Sequence, residues 1–166
     1  ETQEKTYESL ASSPFNKIRF CVFPKHYVYN LKEPAQYPFE IRENSPWSPS
    51  DFETEKLEKA PRNMFGGIDA MIENPDEVWD YTRPNPSYFE HIENTIARLG
   101  TMGIQADLIL FHPYDRWGYS RMNLEQQNFY LRYVVNRFSA YHNVWWAMAN
   151  EFDLFRWKPV SERESN

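Results

Sequence analysis

Apolar residues along the chain fall into alternating helical and strand-like periods. Residues about 3–12 have Tyr7, Leu10 and Ala11 on one helical face, and Pro14 stops the run. Ile18 to Phe23 is a strand, closed by Pro24, which cannot continue a hydrogen-bonded ladder. A long connection follows, residues 25–83, rich in proline, charge and aromatics, with short helices expected near 51–59 and 67–73. Connections of that length without strong periodicity belong to functional loops or lids. Asn85-Pro86 has the form of an N-cap followed by proline in the first turn. Phe89, Ile92, Ile96 and Leu99 then recur at helical spacing until Gly100 and Gly103. Ala106 to Phe111 is the next strand, with His112-Pro113-Tyr114-Asp115 as its outgoing loop. Asn123 with Gln126 has capping-box spacing, and Leu131, Val134, Val135 and Phe138 mark the buried face of another helix. After a turn at His142-Asn143, Val144-Trp145-Trp146-Ala147-Met148-Ala149 is an apolar run expected to be a strand buried on both faces.

The order is therefore α-β-(long loop)-α-β-α-β. Such alternation predicts an α/β fold with parallel strands joined by helical crossovers. Three strands are too few to close a barrel and enough for a segment of one. In parallel sheets, chemistry sits where strands end at their carboxyl edge. The last strand delivers Asn150 and Glu151 side by side at that position, which makes Glu151 a candidate catalytic acid.

Composition narrows the partners. A net charge of −6 without a basic cluster argues against nucleic acid. No stretch is long and apolar enough for a membrane span, and no signal peptide opens the chain. The one cysteine, Cys21, lies in an apolar run and is expected to be a small buried hydrophobe. His26 and His112 stand in no metal-ligand spacing such as His-Glu-x-x-His, so no metal or other cofactor is expected. Aromatic residues make up 17% of the chain, enough to permit stacking on sugar rings but equally suited to a core.

Four motifs in order resemble the apiosidase-like group of (β/α)8 glycoside hydrolases. They are Asn16-Lys17-Ile18-Arg19, Phe23-Pro24-Lys25-His26-Tyr27, Leu108 to Asp115, and Trp146 to Asp153. That group is related to the large clan of retaining glycosidases with Asn-Glu at the end of the fourth barrel strand. The resemblance covers roughly residues 3–157 and implies strands two to four of a partial TIM barrel. Residues 1–166 would then be the N-terminal portion of the catalytic domain. It implies Glu151 as the general acid/base, and places the nucleophile, another Glu, on a seventh strand that this sequence does not contain. A retaining mechanism needs both carboxyl groups about 5–5.5 Å apart, so the bare chain is expected to be inactive.

Around Glu151, Asn150 suits a hydrogen bond to the sugar hydroxyl beside the reacting carbon, against a local role bracing the loop. Arg19 is expected either to hold the nucleophile carboxylate or to form a salt bridge with a structural acid. His26, Tyr27, His112 and Asp115 lie just beyond strand ends and are candidate lining for a sugar subsite, against plain surface packing. Trp79, Trp117 and Tyr119 are candidate stacking platforms, against packing under a loop. A different class of function, a non-catalytic carbohydrate-binding or interaction module derived from such a barrel, is the alternative. Three strands with two open edges also predict self-association of a truncated chain.

Overall fold

The computed structural model describes residues 2–25, 34–48, 72 and 74–153. Helix α1 (Thr2–Ala11) leads into β1 (Lys17–Cys21). Strand β2 (Phe39–Ile41), a single turn α2 (Pro75–Val78) and β3 (Trp79–Pro84) follow. Helix α3 (Pro86–Thr101), β4 (Gln105–Phe111), α4 (Leu124–Phe138) and β5 (Val144–Ala149) complete the order. Strands β1, β4 and β5 form one parallel sheet in that order, with Arg19 opposite Asp107 and Asp107 opposite Trp145. The fold is α/β, as the alternation predicts.

The helices begin where local chemistry supplies an acceptor for orphan N–H groups. The Asn85 side chain accepts from the Ser87 N–H at 3.1 Å, with Pro86 in the first turn. Asn123 and Gln126 form the full capping box, side chain to backbone in both directions. The stop of α3 differs from expectation. Gly100 is inside the helix, against the Asn143 side chain, and the chain leaves only at Gly103, whose φ of 71° glycine adopts without a Cβ penalty. On α4 the buried face is Tyr130, Val134 and Phe138, while Val135 is exposed.

Side chains of a strand alternate between faces, so the register divides the sheet cleanly. Ala106, Leu108 and Leu110 are buried in one cluster with Ile96, Leu99, Val134 and Phe138 of the helices. Arg19 and Cys21 share the opposite face with Asp107 and Ile109. Trp146, paired with Leu108, lies on the helix-side face, whereas Trp145 lies on the other. Cys21 is half-buried and free, its thiol pushed up by burial.

Two expectations are corrected here. Strand β5 is not buried on both faces: Trp145, Trp146 and Met148 are 54%, 40% and 63% exposed. Its pattern suits a central strand, but the described residues put it at the rim of the sheet, with no strand beyond it. The strand buried on both faces is β4, flanked by β1 and β5. The connection 25–83 is also more than a loop, because β2 and β3 pair antiparallel within it. The helices expected near 51–59 and 67–73 lie outside the described residues, apart from Ile72, which is buried.

An aromatic core locks this hairpin onto the sheet. Phe23, just past β1, stacks on Tyr130 of α4 and on Tyr119, with centroids 4.4 and 5.0 Å apart. Phe39 and Trp79 of the hairpin reach the same cluster through Tyr119. Each such pair adds about 0.5–1.5 kcal/mol beyond its buried area.

Candidate active site at the strand-exit edge

The exits of β1, β4 and β5 stand side by side at one edge of the parallel sheet. Beyond β5 the backbone N–H of Asn150 donates to the carbonyl of Phe111 at 2.9 Å, extending the ladder by one bond past the strand. The chain then turns sharply. Glu151 has φ of 49°, a left-handed conformation that no other non-glycine residue among the described residues adopts. Asn and Asp visit that region readily, but Glu gains no local hydrogen bond there, and such outliers cost of order 1–3 kcal/mol. The Glu151 side chain is exposed and Asn150 half-buried.

A cleft of about 610 Å³ runs from this edge along β1, lined by Cys21, Phe23, Lys25, Tyr88, Ile109 and Asn150 among others. Arg19 also borders it, although its guanidinium is already engaged. Its Nε and a terminal nitrogen both lie 2.9 Å from the same Asp107 oxygen. Arg19 is not enclosed: its side chain is 60% exposed, while that of Asp107 is 7% exposed. Arg19 is level with Trp145 in the register, six residues before Glu151. At about 3.3 Å per residue that is well below the exit edge, and Asp107 is the acid it meets there. On the same face, Trp145 donates from its indole to Gln105 and lies under the Lys17 ammonium at 3.6 Å.

Of the other candidates, Asp115 is buried and its carboxylate is spent on its own loop. It accepts from the N–H groups of Gly118, Tyr119 (2.8 Å) and Ser120 (2.9 Å), closing a turn into the short 3-10 helix Tyr119–Arg121. Gly118 has φ of 88° there, and a Cβ at that position would run into the Pro75 ring, so the turn demands glycine. His112 is buried as well. Its Nε2 meets the Phe23 carbonyl and its Nδ1 the Tyr114 N–H, both at 3.2 Å. Burial pulls its pKa below the ordinary histidine value.

Trp79, Trp117 and Tyr119 are all buried, and the Trp79 indole donates to the Trp117 carbonyl at 2.8 Å. Their faces are committed to the aromatic core, so the stacking role expected of them gives way to packing. Trp79 also opens a strand rather than sitting in a loop. His26 and Tyr27 lie outside the described residues. Sequence reasoning did not single out Lys25 beyond its motif; its ammonium sits 4.4 Å from the Tyr114 ring centroid, beside the exit edge. Nor did it find Asp107, although an acid inside an otherwise apolar strand was a legible signal. Among the described residues no cluster of three or more His, Cys, Asp or Glu is arranged to hold a metal ion, and no helix is long and apolar enough to cross a membrane.

The chain is 40% identical to a "putative glycoside hydrolase" from Bacteroides vulgatus ATCC 8482, known from a crystal structure, with a TM-score of 0.69. The match covers 99% of this chain and 28% of that one, so the chain spans under a third of its structural relative. No curated protein matches it significantly. Residues 49–164 match the profile of the apiosidase-like catalytic domain. With most of its length covered by that match, the chain belongs to the apiosidase-like catalytic-domain family.

Proposed function

We propose that this chain carries the acid/base half of a retaining glycoside hydrolase active site. Glu151 protonates the glycosidic oxygen as the bond breaks, then activates water against the glycosyl-enzyme intermediate. Asn150 donates a hydrogen bond to the hydroxyl beside the anomeric carbon. The nucleophilic glutamate comes from outside residues 1–166, and the bare chain is inactive without it. In this reading β1, β4 and β5 are strands two to four of a (β/α)8 barrel, and residues 1–166 the N-terminal portion of its catalytic domain. The substrate is an oligo- or polysaccharide.

The observation that carries the reading is Glu151 itself. It is the second residue past a parallel strand, at the edge where such sheets place chemistry, and it is held in a backbone conformation that a loop carboxylate does not need. Family membership and the likeness to a glycoside hydrolase support it. A structural glutamate would gain nothing from that turn.

The test uses the protein at its full natural length. Glu151→Gln should abolish hydrolysis of glycosides with poor leaving groups and spare those with activated aryl leaving groups, which need no protonation. Equal losses on both would count against the acid role. Proton NMR of the first-formed product should show the anomeric configuration of the substrate; inversion would exclude the two-step mechanism.

A further inference from the structure

His112 is the first residue past β4 and lies between the exits of β1 and β5. A backbone N–H only donates and a carbonyl only accepts, so the two contacts of the ring dictate its protonation. Nδ1 must carry the lone pair that receives the Tyr114 N–H, and Nε2 the proton given to the Phe23 carbonyl. The other neutral tautomer opposes like partners at both nitrogens, and the imidazolium opposes two donors at Nδ1. The residue just before it, Phe111, accepts from the Asn150 N–H through its carbonyl. One side chain thus ties the exit of β1 to the exit of β4, and the adjoining peptide holds the exit of β5.

We propose that His112 is a positioning residue: a neutral, Nε2-protonated strut that spaces the β1 and β4 exits and, through Phe111, sets the backbone at Asn150 from which Glu151 projects. The catalytic consequence rests on the proposed roles of Asn150 and Glu151; the strut does not.

The charged groups facing the ring are Asp115, whose carboxylate favours protonation, and Lys25, whose ammonium opposes it. The Tyr114 ring is stacked near the His112 ring and lies under the Lys25 ammonium. Burial outweighs Asp115, and the ring titrates below its ordinary value. In the unfolded chain it protonates at about pH 6.5. The strut therefore contributes its full stability above that pH, and loses it as pH falls from there through the lower folded value. Around and below the folded value the ring itself protonates, which sets N–H against N–H at Tyr114 and releases the tie.

The ring nitrogens of the intact protein, labelled with 15N, report this directly. At neutral pH the His112 resonances should be those of the Nε2–H tautomer, and the backbone amides of Tyr114 and Asn150 should shift with the His112 midpoint. His112→Asn keeps the acceptor for Tyr114, and His112→Gln keeps the donor to Phe23. Either should abolish the pH-linked shift at Asn150 and lower kcat on the order of ten- to a hundredfold with KM little changed, as misplacement of a catalytic group does. An Nδ1–H tautomer, titration at the ordinary value, or an Asn150 amide indifferent to His112 would overturn the proposal. The resonance measurements need no turnover, so a protein that hydrolyses no glycoside would refute the glycosidase reading and leave the strut separately decided.

Discussion

Asp115 offers the sharpest test of whether a residue at the strand-exit edge serves sugar or scaffold. Asp115→Ala removes an acceptor that satisfies three backbone N–H groups, of Gly118, Tyr119 and Ser120. Asp115 is buried, and water replaces that acceptor poorly. Each stranded donor costs about 1–3 kcal/mol, and partial hydration of Ser120 lowers the sum, so local destabilisation is roughly 3–6 kcal/mol. Asp115→Asn keeps the oxygen serving Gly118 and Tyr119 and turns an NH2 towards Ser120, a loss of about 1–3 kcal/mol. Amide hydrogen exchange reads both, since tenfold in protection corresponds to about 1.4 kcal/mol. Protection at residues 118–120 should fall by about two to four powers of ten in the alanine variant, and by one to two in the asparagine variant at Ser120. Because the turn carries Trp117 and Tyr119 into the aromatic core, the loss should spread to Phe23 and Trp79. Wild-type exchange in Asp115→Ala would refute the scaffold assignment. So would a raised KM with exchange unchanged in Asp115→Asn, which is the signature of a sugar contact.

Other predictions concern the sheet. Arg19→Ala should lower the urea midpoint more than Asp107→Asn, because it leaves the enclosed carboxylate unpaired at about 1–3 kcal/mol, whereas water readily solvates a released guanidinium. A loss of kcat/KM in Arg19→Ala at unchanged midpoint would instead favour the pairing with a nucleophile. Residues 1–166 alone should self-associate in sedimentation, since β1 and β5 are both unpaired on their outer sides among the described residues and Trp145, Trp146 and Met148 face water. A few hundred Å² of apolar surface left in water forfeits on the order of several kcal/mol, comparable to a domain's whole stability. A well-folded monomer that turns over glycosides would refute both that expectation and the half-site reading.

Much of the fold was legible because its signals are local. The spacing of Phe89, Ile92, Ile96 and Leu99, the caps at Asn85 and Asn123, and the apolar run at 106–111 each act within a few residues, and each appears where periodicity puts it. Parallel pairing followed from the alternation of helices and strands. The Asn150-Glu151 pair stood out because a polar dipeptide ends an apolar strand.

What the sequence by itself determined, then, is the order and type of the elements around the sheet and the edge at which polar side chains leave it. Tertiary structure alone decided which strand is central, because burial depends on neighbours that periodicity does not name. Strand β5 carries no polar residue and β4 carries Gln105 and Asp107, yet Leu108 of β4 is enclosed and its partner Trp146 is exposed. It alone decided that Phe39–Ile41 pairs with Trp79–Pro84 across a gap of nearly forty residues, too long for a local turn signal. It also decided which polar groups are satisfied within the fold itself. Asp115, His112 and Arg19 look alike as polar residues in or just beyond strands, but each finds hydrogen-bond partners within the described fold. A buried polar group must be satisfied, and only the packed chain reveals by what.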